Sequence, residues 1–284
     1  IKYKPHEFYN LAAMSHVGIS YFTGEATLNI NALATYRILE SILKNHKNCK
    51  FYQASSSEMF GSTQPPQNEK SPFNPQSPYG ISKVAAYYTT RYFRQAHGLF
   101  ASNGILFNHE SPRRGENFIS RKTIIGIIKV LKGYQKCLYL GNLKSKRDWG
   151  HAKEFVSAQW KILQQKKPDD YVVSTDNAFS VKDFINLACK ILNIKLVWTG
   201  KGLNERGYQI TKNNKRKLFI KIDKKYFRPL DINYLRGDST KAKKILKYKP
   251  KYNFKDLVSD MLESDVKSQK EQIFRFYHGS NSIV

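Results

Sequence analysis

Apolar residues follow two different spacings in the first half of the chain. Short apolar runs, typical of buried parallel strands, alternate with stretches in which apolar residues recur every third or fourth position, as in amphipathic helices. The predicted strands are Phe8–Ala13, Lys50–Ala54 and Gly104–Phe107, and the predicted helices are Thr27–Lys44 and Tyr79–His97. This alternation predicts an α/β fold, in which helices cover both faces of a parallel sheet.

The second half of the chain is less regular. Helices are predicted at Ile119–Lys132, His151–Gln164, Ser180–Ile191, Ser239–Leu246 and Phe254–Lys267, and extended segments at Cys137–Leu140, Tyr171–Ser174 and Leu196–Trp198. We expect two domains. The first, built on the parallel sheet, takes residues 1–117 and about 151–191, and a smaller α/β domain takes about 118–150 and 192–284.

The chain is strongly basic, with 48 Lys and Arg against 22 Asp and Glu and a net charge of +26. Such a charge attracts nucleic acid or phosphorylated ligands. The lysines are scattered along the whole chain, however, so we interpret most of them as solvated surface and expect no nucleic-acid partner. The densest basic run, residues 212–225, fits a surface hairpin or a loop.

Membrane and metal sites are not expected from the sequence. Lysines interrupt the longest apolar stretches before they reach the ~20 residues that span a bilayer. The three cysteines, Cys49, Cys137 and Cys189, are far apart and form no CxxC pair, so neither a disulfide framework nor a zinc site is predicted. A reduced cytoplasmic protein is the expectation.

Candidate chemistry begins with Tyr79 and Lys83, which lie one turn apart on a predicted helix. A phenol is a poor base at its ordinary pKa of ~10, but a lysine ammonium close to it favours the phenolate. Because a YxxxK spacing also arises by chance, this pair alone carries little weight.

Two further polar clusters follow predicted strands. Ser55, Ser56, Ser57 and Glu58 come after the second strand, and the run from Asn108 to Gly115, which contains two arginines, comes after the third. Ligands of open α/β sheets bind at the carboxyl ends of strands, so we expect both clusters at one sheet edge. A hydroxyl, a carboxylate and paired guanidinium groups there suit a phosphorylated substrate.

These residues carry a resemblance to a known family. The stretches YNLAAMSHV (9–17), FYQASSSEMFG (51–61), SPYGISK (77–83), NGILFNHESPRRGENF (103–118) and RDWGHAKEFV (147–156), with the YFRPLDI–GDSTKAK region (226–243), span nearly the whole chain. They resemble the GDP-mannose 4,6-dehydratases among the extended short-chain dehydrogenases/reductases. The resemblance implies an NAD(P)-binding Rossmann-like sheet with a smaller nucleotide-sugar domain.

The resemblance also implies a reaction. GDP-mannose would be converted to GDP-4-keto-6-deoxymannose and water, with NADP recycled internally, in the biosynthesis of GDP-deoxysugars such as GDP-fucose. Tyr79 would take the proton of the sugar 4-hydroxyl, Lys83 would support the phenolate, and Glu58 would remove the C5 proton. Ser56 stands where the family has threonine, so its hydroxyl is kept and a methyl is lost.

Binding residues can be carried over in the same way. For the cofactor, the resemblance implies Leu11, Ala12, Ala13, Ser15, Tyr79, Lys83, His109 and Arg114. For GDP-mannose, it implies Asn108, Lys122, Arg147, Arg228 and Asp231. No metal is implied. The loop with Arg113 and Arg114 is expected near a subunit contact, which indicates a homodimer or homotetramer.

The family begins with a glycine-rich turn that seats the cofactor pyrophosphate, and the given sequence has no such stretch. We therefore expect the chain to be a fragment, with about three strand–helix units upstream of it. A pseudoenzyme that has lost its cofactor site is the rival interpretation.

Two other functions stay open on the sequence. Another nucleotide-sugar dehydratase or epimerase would use the same fold, although Glu58 argues against a plain epimerase, which needs no base at C5. A non-catalytic basic binding protein would need neither Tyr79 nor Glu58, and its binding would depend steeply on salt.

Overall fold

The computed structural model describes residues 3–278. The strands are, in chain order, β1 (Glu7–Asn10), β2 (Lys50–Ser56), β3 (Ala101–Leu106), β4 (Asn108–Glu110), β5 (Leu138–Leu140), β6 (Lys146–Arg147), β7 (Trp149–His151), β8 (Asp170–Val173), β9 (Phe179–Ser180), β10 (Leu196–Thr199), β11 (Arg206–Ile210) and β12 (Arg216–Ile222). The α-helices are α1 (Val17–Ser20), α2 (Gly24–Leu28), α3 (Ala34–Asn45), α4 (Pro78–His97), α5 (Ile119–Leu131), α6 (Ala152–Leu163), α7 (Val181–Ile191), α8 (Thr240–Leu246) and α9 (Phe254–His278). Within the described residues, no helix is long and apolar enough to cross a membrane.

The chain packs into two units, each made of three separate stretches. Unit 1 takes the residues up to His109, Ser145–Phe179 and Arg228–Lys251, and unit 2 takes Glu110–Lys144, Ser180–Phe227 and the residues from Tyr252 onward. Helix α7, which we expected in the first domain, packs in unit 2, where Phe184 contacts Phe254 of α9. Helix α8, which we expected in the second domain, packs in unit 1 through Ala242 and Leu246.

Unit 1 is built on a four-stranded parallel sheet with the order β1-β2-β3-β8. Successive side chains of β2 enter different clusters, because neighbouring residues of a strand face opposite sides. Phe51 packs with Leu39 of α3 and Phe93 of α4. Tyr52 belongs to a larger cluster with Phe155 of α6 and residues of β3 and β8. The predicted α/β fold with a parallel sheet is therefore confirmed.

The two edges of this sheet differ. Strand β8 is covered along its outer side: its Val172 amide donates to the carboxylate of Glu69 at 2.7 Å, and the Lys241 ammonium donates to the Asp170 carbonyl at 2.8 Å. Strand β1, at the other edge, pairs with β2 and with no other described strand.

Unit 2 holds a second sheet with the order β10-β11-β12-β5. Strands β11 and β12 form an antiparallel hairpin, so of the two alternatives for the basic run, a hairpin or a loop, the structure has the hairpin. Helix α7 opens with a capping box between Ser180 and Asp183, since each side chain binds the backbone amide of the other.

Candidate active site

The end of strand β2 places Ser56 and Glu58 at the carboxyl edge of the parallel sheet. Ser56 caps a short 3₁₀ turn, where its Oγ accepts a hydrogen bond from the Glu58 amide at 3.2 Å. The Glu58 side chain is 8% exposed, and its Oε2 atom has no hydrogen-bond partner among the described residues. A buried carboxylate oxygen without a partner carries a desolvation cost, which is typical of groups kept for chemistry.

Helix α4 brings Tyr79 and Lys83 to the same edge. Ser77 caps the helix by accepting from the Gly80 amide at 3.0 Å, and Pro78 occupies the first turn. Gly80 lets α4 approach the 3₁₀ turn closely, because a Cβ atom there would lie 2.8 Å from the Glu58 carbonyl oxygen. The helix therefore starts directly against the segment that carries Glu58.

Lys83 is almost fully buried beneath Tyr79. Its ammonium donates to the Ala54 carbonyl at 2.8 Å and lies 5.8 Å from the centre of the Tyr79 ring. Burial lowers the pKa of Lys83 to about 8. The predicted pair is thus brought together, with the lysine fixed by the strand that carries the serine cluster.

The residues predicted to contact the cofactor after β1 form an accessible loop. Leu11, Ala12 and Ser15 are exposed and Ala13 is half-buried. Asn31 ties this loop to α4, because its side chain accepts from the Met14 amide at 2.9 Å and donates to the Ser82 hydroxyl at 2.9 Å. Asn31 was not predicted as a site residue. It lies in a π-helical turn, Asn29–Leu33, which interrupts the single helix expected over 27–44.

Arg147, Arg228 and Asp231 form one charged cluster with Glu58. The Arg147 guanidinium, 6% exposed, donates to the Ile232 carbonyl at 2.8 Å, and Asp231 accepts from the Ser145 hydroxyl at 3.1 Å. Burial lowers the pKa of Arg147 despite the opposing effects of Glu58 and Asp231, and Arg228 lowers it further. Three predicted substrate residues are thus brought together with the predicted base.

Asn108 and His109 follow strand β3, whose carboxyl end lies beside that of β2, with Leu106 opposite Ser56. Both residues are partly exposed. The His109 ring stacks on Phe155 at 5.0 Å, and its Nδ1 atom donates to the Phe107 carbonyl at 2.9 Å. Because a carbonyl oxygen only accepts, this bond places a proton on Nδ1.

Arg114 and Lys122 belong to unit 2. The Arg114 guanidinium pairs with buried Glu110 at 3.2 Å and lies 3.6 Å from the centre of the Phe118 ring. The Lys122 ammonium lies 3.4 Å from the centre of the Tyr226 ring. Burial lowers the pKa of Lys122, with a further contribution from Lys225.

Comparison with known proteins gives a family. A family model described as GDP-mannose 4,6 dehydratase matches residues 1–261. The chain is 44% identical to the GDP-mannose 4,6 dehydratase of Drosophila melanogaster over 271 residues, which cover 94% of this chain and 68% of that protein. It is 45% identical to the human GDP-mannose 4,6 dehydratase over 270 residues, 93% of this chain and 71% of that protein.

Solved structures share the fold. RMD from Pseudomonas aeruginosa, solved with NADPH, superposes with a TM-score of 0.77 at 20% identity, over 93% of this chain and 82% of that one. The dTDP-glucose 4,6-dehydratase of Bacillus anthracis, solved with NAD, gives a TM-score of 0.72 at 20% identity, over 93% and 74%. The family model and the 44–45% identity to the Drosophila melanogaster and human proteins extend over nearly the whole chain. The chain therefore belongs to the GDP-mannose 4,6-dehydratase family of hydro-lyases.

Proposed function

We propose that the chain acts as its family does and converts GDP-mannose to GDP-4-keto-6-deoxymannose and water, with NADP as the nicotinamide cofactor. The observation that carries this proposal is the Glu58 carboxylate at the sheet edge that also holds Tyr79 and Lys83, because its buried Oε2 atom has no hydrogen-bond partner among residues 3–267. Oxidation and reduction at the sugar need the tyrosine and the lysine. Elimination of water needs a base as well.

The residues present fit a nicotinamide dinucleotide. Lys83 is held by Ala54 beneath Tyr79, and the exposed loop 11–15 is fixed against α4 by Asn31. Leu11, Ala12, Ala13 and Ser15 would contact the cofactor from this loop, and Tyr79, Lys83, His109 and Arg114 would complete its contacts. The bound cofactor would accept hydride from C4 of the sugar and return hydride to C6.

Tyr79 takes the proton of the sugar 4-hydroxyl while C4 is oxidised. The Lys83 ammonium favours the phenolate that this step requires, because an opposite charge stabilises the charged form. Ser56 donates a hydrogen bond to the same sugar oxygen. The new 4-ketone then makes the C5 proton acidic.

Glu58 removes that C5 proton and returns it to the departing 6-hydroxyl, so that water leaves across C5 and C6 and the atoms balance. After reduction at C6, C5 takes a proton from solvent, and Tyr79 releases to solvent the proton that it took from the 4-hydroxyl, so that both residues return to their starting state. Arg147 and Arg228 bind the diphosphate through their guanidinium groups, and Asp231 accepts hydrogen bonds from sugar hydroxyls. Asn108 and Lys122 complete the GDP-mannose contacts.

A 4-epimerase on the same fold would also use Tyr79 and Lys83. It needs no base at C5, and the buried carboxylate of Glu58 would then be a cost without a function. Glu58 therefore favours the dehydratase.

The reaction is tested by incubating the purified protein with GDP-mannose and NADP in deuterated water. Mass spectrometry should find a sugar nucleotide that has lost one water and gained deuterium at C5, with no net NADPH. Tyr79→Phe and Glu58→Gln should each lower the rate by about 10²–10⁴-fold. UDP- and dTDP-sugars serve as control substrates, which should not be dehydrated. An epimerised product, or full activity of Glu58→Gln, would overturn the proposal.

We also propose that the protein is a homodimer formed through α4. Ile81, Tyr88 and Tyr92 lie along one side of this helix and are 50%, 53% and 50% exposed. Leu33 and Tyr36, which are 53% and 45% exposed, add apolar surface at the start of α3. Contiguous exposed apolar side chains on a helix mark protein–protein contacts. Sedimentation should give a dimer for the protein and a monomer for Tyr88→Glu.

A further inference from the structure

Tyr21, directly after helix α1, binds two segments that are distant from each other in sequence. Its hydroxyl lies 2.8 Å from the Gln76 carbonyl oxygen and 3.1 Å from the Leu230 carbonyl oxygen. A tyrosine hydroxyl has one proton, and both neighbours only accept, so this proton is shared between them. The shorter contact, to Gln76, is the stronger of the two.

The first of these segments is the start of the helix that carries Tyr79. Gln76 comes immediately before Ser77, the N-cap of α4. The residue before Tyr21 holds the same end of the helix, because Ser20 Oγ accepts from the Tyr79 amide at 3.2 Å and donates to the Val17 carbonyl at 2.7 Å. Ser20 and Tyr21 thus fix the first turn of α4 at two points.

The second segment carries two of the proposed substrate residues. Leu230 lies between Arg228 and Asp231, and its side chain is 57% exposed. Pro229 next to it is exposed too. Few apolar contacts hold such a segment, so single hydrogen bonds matter for its position. Burial raises the pKa of Tyr21; Arg228 acts to lower it, and Glu58 and Asp231 act to raise it, so these charged groups are close enough to the phenol to affect it.

We infer that Tyr21 is a positioning residue for substrate binding: its hydroxyl couples the Arg228–Asp231 segment to the end of α4 that presents Tyr79. The inference rests on the proposed function for its substrate, and it adds a residue that contacts neither reacting atoms nor cofactor. Without the hydroxyl, the segment would sample more positions, and GDP-mannose would have to order it on binding.

The test is Tyr21→Phe, which removes one oxygen atom and keeps the ring. We expect the KM for GDP-mannose to rise about 5-fold, as for the loss of one hydrogen bond, and kcat to stay within about 2-fold. Tyr134→Phe is the matched control: this tyrosine is 63% exposed and lies outside the site, so its KM should not change. A fall in kcat with an unchanged KM would overturn the inference.

A double-mutant cycle separates coupling from general damage. If Tyr21 acts through its segment, Tyr21→Phe should change KM by less than about 2-fold when Arg228 is already replaced by alanine. If the two effects instead multiply, Tyr21 acts independently of Arg228 and the inference is wrong.

Hydrogen exchange tests the coupling without any ligand. Backbone amides of Arg228, Leu230 and Asp231 should exchange about 5-fold faster in Tyr21→Phe than in the unmodified protein, and amides of β2 should exchange at the same rate. Unchanged exchange at these three amides would overturn the inference even if the protein dehydrates GDP-mannose. If the unmodified protein forms no dehydrated product, the proposed function fails, and the exchange result still decides the role of Tyr21.

Discussion

The Nζ atom of Lys83 lies 5.8 Å from the centre of the Tyr79 ring, one helical turn away and almost fully buried. Below pH 8 the lysine is charged in the folded protein, and burial of this charge lowers its pKa to about 8 from 10.5. Between pH 8 and 10.5 the unfolded chain binds more protons than the folded one. This lysine therefore makes the protein more stable as the pH rises through that range.

Lys83→Met should separate stability from activity. We expect a rate at least 10²-fold lower, because the phenolate of Tyr79 loses its ammonium neighbour. At pH 7 the free energy of unfolding should rise by about 2 kcal/mol, since a buried charge is removed. The Ala54 carbonyl keeps a donor in the Gln53 side chain, at 3.2 Å. Chemical denaturation at pH 7 and pH 10 measures the effect. A variant that is less stable at pH 7 would contradict this account.

The role of Ser56 can be tested by adding the methyl group that distinguishes threonine from serine. Its hydroxyl already caps the turn that carries Glu58, and a threonine would add rotamer restriction without removing the hydrogen bond. Ser56→Thr should therefore keep or raise kcat for GDP-mannose. Ser56→Ala should lower kcat at least 10-fold, because the cap and the bond to the substrate oxygen are both lost. Steady-state kinetics of the unmodified protein and the two variants measure kcat. A lower kcat in Ser56→Thr would contradict this account of Ser56.

Gly104, in the buried strand β3, leaves room for the Tyr52 ring of β2. A Cβ atom on residue 104 would lie 2.2 Å from the Tyr52 hydroxyl oxygen, which is buried and finds no hydrogen-bond partner in the described part of the chain. Gly104→Ala should lower the free energy of unfolding by about 2–3 kcal/mol through overpacking. Tyr52→Phe removes the clashing oxygen. Two ring carbons of residue 52 would still lie 2.8 Å from the added Cβ atom, so the double variant should recover only part of this loss in thermal denaturation, whereas additive losses would contradict the clash.

Arg94 and Asp170 form a bidentate ion pair at 2.8 and 2.7 Å, and Arg91 lies farther from the same carboxylate, at 3.8 Å. Although burial acts to raise it, the pKa of Asp170 is lowered by Arg94, Asn103 and Tyr87. The pair thus stabilises the protein above the unfolded pKa of ~3.9, and this stability is lost as the pH falls through the folded value.

Arg94→Ala should reduce the free energy of unfolding at pH 7 by about 3 kcal/mol, since the buried carboxylate loses its bidentate partner and keeps only Arg91 at 3.8 Å and the hydrogen bonds from Asn103 and Tyr87. Arg91 is more exposed, so Arg91→Ala should lower the free energy of unfolding by less than about 1 kcal/mol. Below pH 4 the free energies of unfolding of Arg94→Ala and of the unmodified protein should come closer together, because the carboxylate becomes protonated. Urea unfolding at pH 3 and pH 7 checks this, and equal effects of the two arginine variants would count against it.

The spacing of apolar residues predicted most strands of the parallel sheet and several of the long helices. Strands β2, β3 and β8 and helices α4, α6 and α7 lie within a few residues of their predicted bounds, because buried parallel strands and amphipathic helices have distinct patterns. The predicted strand Phe8–Ala13 continues too far. It ends at Asn10, whose side chain binds Thr35 and Gln53, and the apolar residues after it form a loop.

Much of the candidate site could also be predicted, since its parts follow strand ends. Strand β4, Asn108–Glu110, was not among the predicted strands. Tyr21 and Asn31 had no signal of their own, because each acts through one hydrogen-bonding group toward residues far away in sequence. Such contacts depend on tertiary packing and leave no local pattern.

The two edges of the parallel sheet differ in whether they can pair with a further strand. On the β8 side, the Glu69 carboxylate and the Lys241 ammonium already occupy backbone groups that an added strand would need. On the other side, β1 offers its outer backbone within the described residues. A strand joining this sheet, whether supplied by the same polypeptide, by a synthetic peptide or by a misfolded neighbour, would therefore extend it beside β1.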